Sequence, residues 1–120
     1  MSEAGHKRSI LLYCDESAID KLQDLFTEAS LINCKGREKE MVKEILEKGD
    51  EVREEKIVNG EDELCYAVFD GFDDKSLGNA IKTIRQYSGR EWVFATITET
   101  NLSWRMSELL IELTEEHNYF

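Results

Sequence analysis

Polar and aromatic side chains cluster near the C-terminus, in the run ATITETNLSWRMSELLIELTEEH. Two threonines stand at the end of an apolar stretch, and an asparagine and a tryptophan follow at the start of a helical pattern. A helix N-terminus beside hydroxyl and amide groups can bind a small anion. The pattern therefore predicts a ligand site made of Thr96, Thr98, Asn101 and Trp104.

The same residues also have a purely structural interpretation, which the sequence leaves open. Asn101 would be an N-cap whose side-chain oxygen accepts a hydrogen bond from the backbone N–H of Ser103 or Trp104. The indole would pack into the core, because indoles bury a large apolar area. Glu116 and His117 follow near the end of the same helix, where a charged histidine interacts favourably with the helix dipole.

Two acidic clusters, residues 14–17 and 70–74, follow other strand-like segments and would share the edge of a parallel sheet with the C-terminal cluster. Their carboxylates could bind Mg²⁺. The order of Asp15, Glu16, Asp70 and a later threonine resembles that of phosphoacceptor receiver domains. This resemblance implies a Mg²⁺-dependent receiver-like or phosphohydrolase activity as an alternative. The chain ends without the fifth strand and lysine of that family, and helix capping also explains the acidic residues.

The last helix supports a third interpretation, in which the protein is an interaction module. Its glutamates lie along one side, and Trp104 and Ile111 form a second apolar stripe one heptad apart. A basic partner or a second copy of the chain, giving a homodimer, could dock there. A solvated acidic face explains the glutamates equally simply. The glutamates concerned are Glu108, Glu112, Glu115 and Glu116.

Length and charge restrict the class of protein. A chain of 120 residues predicts one domain, with residues 1–8 disordered. Apolar residues make up 41% and charged residues 34%, as in a globular chain. The formal net charge of −11 disfavours binding to nucleic acid and to an anionic membrane surface, because both carry negative charge.

The cysteines and the N-terminus both suggest the cytosol. Cys14, Cys34 and Cys65 are widely spaced and odd in number, which favours free thiols in a reducing compartment. No apolar run is long enough for a signal peptide or a membrane span. The sequence therefore predicts a cytoplasmic protein.

Apolar periodicity predicts an α/β domain with the order β-α-β-α-β-α-β-α. Alternating strands and helices favour a mostly parallel sheet of three to four strands with helices packed on its faces. The second strand, residues 31–34, has a weak pattern and is left open. Residues 50–63 fit a hairpin or a solvated loop equally well. No internal repeat is visible.

Common catalytic motifs are missing from the sequence. It has no nucleophile elbow, no phosphate-binding glycine loop and no H-E-x-x-H pair. Its two histidines, His6 and His117, both lie near the termini. The favoured function is therefore a non-enzymatic, cytosolic binding or regulatory module without a cofactor, with a small anion or a protein as its partner.

The C-terminal half resembles a family of small bacterial proteins known only as a domain of unknown function. The resemblance rests on AVFDGFDDKSLGNAIKTIR, on T-x-x-N-x-x-W at Thr98, Asn101 and Trp104, and on L-x-x-E-L-x-x-E-H from Leu109 to His117. It covers roughly residues 64–118. The family implies no activity, but it favours the threonine, asparagine and tryptophan acting as one unit.

Overall fold

The computed structural model describes most of the chain. The described ranges are residues 8–14, 16–26, 29–49, 64–87 and 91–119, without the side chains of residues 16, 17 and 117–119. The elements in chain order are β1 (Arg8–Tyr13), α1 (Glu16–Gln23), β2 (Ala29–Asn33), α2 (Val42–Lys48), β3 (Leu64–Asp70), α3 (Asp74–Tyr87), β4 (Glu91–Thr96), α4 (Glu99–Leu102) and α5 (Met106–Tyr119).

The four strands form one open mixed sheet with the order β2-β1-β3-β4. β1 is parallel to β2 and β3 is parallel to β4, but β1 and β3 are antiparallel, with Leu11 opposite Val68. The predicted mostly parallel sheet is therefore wrong at its central pair. Apolar periodicity identifies a strand but not its direction. The direction of β3 depends on the connection after α2, and residues 50–63 lie outside the described part of the chain.

Helices cover both faces of this sheet because alternate strand residues point in opposite directions. Ile10 and Leu12 pack with α1 and α3 on the first face, whereas Leu11 packs with α2 and α5 on the second. All three side chains are fully buried, and each such burial stabilises the fold by about 2 kcal/mol. The predicted α/β class is confirmed, and the weakly predicted second strand exists as β2.

The two halves of the chain have the same topology. Each contains two parallel strands joined by a helix on the first face, followed by a helix on the second face. The segments before α2 and α5 meet through an isolated antiparallel bridge between Met41 and Arg105. The backbone N–H of Val42 donates to the carbonyl of Trp104, and Met106 donates to Glu40, both at 2.9 Å. The sequence shows no repeat, so this equivalence is visible only in the fold.

The antiparallel central pair also joins two cysteines. Cys14 and Cys65 follow the Tyr13–Tyr66 pair on the β1–β3 ladder and form a disulfide, with their Cα atoms 5.0 Å apart. The prediction of free thiols is wrong for these two residues, because antiparallel pairing places the end of β1 beside the start of β3. Cys34 is a buried thiol on the opposite face. The cytosolic location stays a prediction, and the disulfide does not support it.

No helix within the described ranges is both long enough and apolar enough to cross a membrane. The expected disorder of residues 1–8 and the hairpin or loop at residues 50–63 fall on parts of the chain that the structure does not describe, apart from Arg8, which begins β1.

Candidate functional site

Thr98 and Asn101 form a capping box at the start of α4. The backbone N–H of Asn101 donates to Thr98 Oγ1 at 3.1 Å, and the N–H of Thr98 donates to Asn101 Oδ1 at 2.9 Å. Asn101 Nδ2 also donates to the carbonyl of Thr96 at 3.2 Å. The asparagine side chain is buried, so both of its polar atoms serve the turn that follows β4.

These contacts correct the predicted roles at the helix start. The N-cap is Thr98 and not Asn101, because a separate short helix, α4, precedes α5. Thr96 contributes its backbone carbonyl, and its own side chain is exposed. A helix of four residues has little dipole, and the amide that was predicted to contact an anion is already hydrogen-bonded. The structural interpretation therefore explains Thr98 and Asn101.

Trp104 lies between the short helix and α5, at the bridge that joins the two halves. Its indole is half-buried against the apolar residues on the second face of the sheet, and its backbone carbonyl accepts the hydrogen bond from the N–H of Val42. The exposed part of the indole forms one wall of a surface groove of about 410 Å³. We call this groove the α5 groove; it is lined by Trp104, Glu108, Ile111 and Glu112.

The α5 groove combines apolar surface with negative charge. Ile111 is 59% exposed, the largest exposure among the large apolar side chains of the described residues. Glu108 Oε1 accepts a hydrogen bond from the backbone N–H of Arg105 at 2.9 Å, which fixes that side chain near the start of the helix. Glu112 is exposed and has no cationic partner among the described residues. The groove therefore has an apolar floor beside carboxylates.

The remainder of α5 is anchored in the core. Met106, Leu109 and Leu113 are buried at helical spacing on the side that faces the sheet. The hydroxyl of Tyr66 on β3 forms a hydrogen bond with that of Thr114. Because the buried side of the helix is fully used, the exposed Ile111 has no packing role in the described fold.

The equivalent helix of the first half carries different side chains at the positions that line the α5 groove. Counting from the bridge, Ile111 corresponds to Glu47, which is exposed on α2. Trp104 corresponds to Glu40, whose carboxylate accepts two hydrogen bonds from Arg37, at 3.0 and 3.1 Å. Arg37 is buried and also donates to the carbonyl of Gly49 at 2.7 Å. In the first half, an ion pair between Arg37 and Glu40 therefore occupies the position that Trp104 has in the second half. The combination of apolar and acidic side chains is therefore specific to the second half.

The Glu40 carboxyl group is the electrostatically most constrained acid of this region. The hydrogen bond from Arg37 is the main cause that holds its pKa below the ordinary value, and the charges of Arg37 and Lys48 act in the same direction, against desolvation. Its hydrogen bonds with Arg37 stabilise the loop between β2 and α2.

The predicted Mg²⁺ site combines residues that follow two strands, and the structure places the ends of those strands at opposite edges of the sheet. Asp70 lies opposite Ser9, whereas β1 ends at Tyr13, four residues or about 13 Å further along the strand pair. Asp15 lies outside the described residues, as does the side chain of Glu16. Within the described part of the chain, no group of three or more histidine, cysteine, aspartate or glutamate side chains could hold a metal ion.

The second half carries a recognisable domain. Residues 67–120 match the family described as Domain of unknown function (DUF3783). The predicted family resemblance is confirmed to that extent, while the T-x-x-N-x-x-W signature and the bacterial origin stay predictions. No curated protein and no solved structure matches the chain. The matched segment contains the capping box and the whole α5 groove, and it carries no assigned activity.

Sequence reasoning identified the groove only in part. Helical spacing in the sequence indicates both the stripe of Trp104 and Ile111 and the line of glutamates, but it does not show that they border one groove. The groove unites them because Trp104 lies before α5 and turns its ring toward the first turns of the helix. Glu116 is exposed further along the helix, and the side chain of His117 lies outside the described residues.

Proposed function

We propose that the chain is a non-enzymatic protein-interaction module, and that the α5 groove binds a basic amphipathic segment of another protein. The observation that carries this proposal is an exposed isoleucine beside a half-buried indole, flanked by glutamates, on a helix whose other side is firmly packed. A rigid helix face of this kind suits the recognition of a partner helix by residues at helical spacing.

Apolar contact would supply much of the affinity. Complete burial of an isoleucine side chain is worth about 1.5–3 kcal/mol, and Ile111 still has 59% of its surface to bury. A partner residue that covers Ile111 would therefore gain about 1–2 kcal/mol from this side chain alone. Trp104 would add a rigid aromatic wall, and indoles are enriched among the residues that dominate interfaces.

Charge selects the kind of partner. Glu108 and Glu112 border the apolar surface, and the whole chain carries a formal net charge of −11. Lysine or arginine beside the partner's apolar anchor would form ion pairs at the rim and accelerate association. A second copy of the same face would place glutamates against glutamates, so charge disfavours the homodimer.

The other interpretations have less support. The anion site at Thr98 and Asn101 would need donors that the capping box already uses. A Mg²⁺-dependent activity would need carboxylates from two strand ends that point to opposite edges of the sheet. A basic protein segment is the partner that uses both the apolar and the charged surfaces.

A model peptide tests this function directly. The probe is a lysine-rich helical peptide with leucine on one face, titrated into the full chain while the Trp104 indole N–H is observed by NMR. Ile111→Ser should weaken binding by about tenfold, the equivalent of the apolar contact. Glu112→Lys should weaken binding by about threefold to tenfold, and added salt should weaken the wild-type complex.

Two matched variants control for general effects. Tyr87 is 56% exposed on the first face, so Tyr87→Ser removes a comparable apolar side chain outside the groove. Glu47→Lys makes the same charge reversal on the equivalent helix α2. Both should bind like the wild type. Equal weakening by Glu47→Lys and Glu112→Lys would reduce the effect to net charge, and self-association abolished by Ile111→Ser would assign the groove to a second copy.

A further inference from the structure

A second concave site lies on the first face of the sheet, away from the α5 groove. It is a cleft of about 260 Å³ at the edge where β1 begins and β3 ends. We call it the α1–α3 cleft. Leu25 and Phe26 form one side, in the turn that closes α1, while Ser76, Asn79 and Thr83 form the other, and Arg8 lies at its end.

The α3 side of the cleft is unexpectedly polar for a face between two helices. Ser76, Asn79 and Thr83 follow one another at helical spacing, where packing against a neighbouring helix would favour apolar residues. Across from them Leu25 is 39% exposed, although a side chain on the α1 side would normally be covered. The polar α3 wall and the apolar α1 wall therefore do not pack against each other. The α3 wall offers hydrogen bonds to an occupant, and the α1 wall offers apolar surface.

One cation stands at the end of the cleft. The guanidinium carbon of Arg8 is 5.4 Å from the centre of the Phe72 ring. The N–H groups of this guanidinium form no hydrogen bond among the described residues, so they can donate to an anion. Arg8 is the only charged side chain that lines the cleft within the described part of the chain, although the protein is strongly acidic.

The neighbouring polar groups define what remains available. The Ser76 N–H donates to Asp73 Oδ1 at 2.7 Å. The Ser76 hydroxyl accepts a hydrogen bond from the backbone N–H of Asp73 and donates to the backbone carbonyl of Asp73. The backbone N–H of Ser76 is the main cause that lowers the Asp73 pKa, and the charge of Arg8 contributes less. Thr83 Oγ1 donates to the carbonyl of Asn79 at 2.8 Å, which leaves its oxygen as an acceptor. The side-chain amide of Asn79 has no hydrogen-bond partner among the described residues.

We infer that the α1–α3 cleft binds a small, one-ring carboxylic acid. Its carboxylate would pair with the N–H edge of Arg8, its ring would lie against Leu25 and Phe26, and a polar substituent would reach Asn79. The cleft of about 260 Å³ is slightly smaller than the roughly 300–1,000 Å³ of sites for drug-sized ligands, and a molecule with a single ring fits this size. This site is independent of the α5 groove, because the two lie on opposite faces of the sheet.

Amide chemical-shift titrations of the full chain test the inference with named probes. The probes are benzoate, 4-hydroxybenzoate, benzyl alcohol as a neutral ring and inorganic phosphate as an anion without a ring. Either benzoate should give saturable shifts in residues 76–83, and benzyl alcohol should bind about tenfold more weakly because it lacks the charge. Phosphate should not reproduce these shifts at the same concentration.

Two variants and one control identify the contacts. Arg8→Gln should weaken benzoate binding by about tenfold or more. Thr83→Leu should fill the cleft and abolish binding while the protein stays folded, because leucine favours a helix. Arg85→Gln removes a similar cation, whose guanidinium carbon lies 5.3 Å from the Phe94 ring centre, and should leave binding unchanged. Absent or non-saturating shifts, equal binding by Arg8→Gln, or identical shifts with phosphate would each overturn the inference.

Discussion

Replacing Asn101 with alanine should destabilise the protein without removing a ligand contact. The substitution deletes two hydrogen bonds, from the Thr98 N–H at 2.9 Å and to the Thr96 carbonyl at 3.2 Å. Each such bond contributes about 0.5–1.5 kcal/mol net, so the expected loss in the free energy of unfolding is about 2 kcal/mol. Part of the capping box remains, because the Asn101 backbone N–H still donates to Thr98 Oγ1.

Urea unfolding, followed by far-UV circular dichroism, measures this loss. Asn101→Ala should lower the midpoint while the dependence on denaturant stays the same. Thr98→Ala should cost about 1 kcal/mol, as for other N-caps. Thr100→Ala is the matched control, because its side chain is exposed one residue before Asn101, and it should change stability by less than about 0.5 kcal/mol. A loss below about 0.5 kcal/mol for Asn101→Ala would refute the stabilising role of its side-chain hydrogen bonds.

Two further predictions concern the cross-link and the ion pair. Cys14 and Cys65 are separated by 51 residues in the sequence, and closing a loop of that length stabilises the folded state by about 4 kcal/mol in the chain-entropy description. The double alanine variant should lose about that much in urea unfolding, and an unchanged midpoint would contradict the cross-link. Arg37 lowers the pKa of Glu40 in the folded state. The ionised Glu40 therefore adds to the free energy of unfolding at pH values above its ordinary pKa of 4.5, and this stabilisation is lost as the pH falls below that value. Acid unfolding of Glu40→Gln should therefore depend less steeply on pH in that range, and an identical pH dependence would contradict the linkage.

Local patterns in the sequence predict the elements of this fold well. The continuous apolar run of β1 and the helical spacing of Leu77, Ala80, Ile81 and Ile84 in α3 depend on neighbouring residues only, and both elements are present. Capping of α3 by Asp73 is equally local, because the N–H of Ser76, three residues later, donates to its carboxylate. Short-range chemistry is sufficient for such features.

Features that depend on chain direction could not be predicted in the same way. Both directions of β3 bury the same apolar residues, so periodicity does not distinguish a parallel from an antiparallel central pair. This one choice decides whether Cys14 meets Cys65 and whether Asp70 lies at the same edge as the end of β1. The disulfide and the separation of the acidic clusters both follow from it.

The candidate site also contains a feature that local sequence patterns could not predict. Helical spacing identified the stripe of Trp104 and Ile111, but the break between α4 and α5 was missed. No proline or glycine marks that break in the sequence. It is imposed by the bridge between Met41 and Arg105, a contact between residues far apart in the chain. The predicted N-cap position of Asn101 was wrong for that reason, because the N-cap is Thr98.

The most direct test of the central claim is an amide chemical-shift map of the full chain with the lysine-rich amphipathic peptide. We predict saturable shifts that concentrate on the Trp104 indole N–H and on residues 104–112, are lost in Ile111→Ser and weaken as salt is added. Saturable shifts that map elsewhere, or that persist unchanged in Ile111→Ser, would contradict the assignment of the α5 groove as a docking site for a basic protein segment.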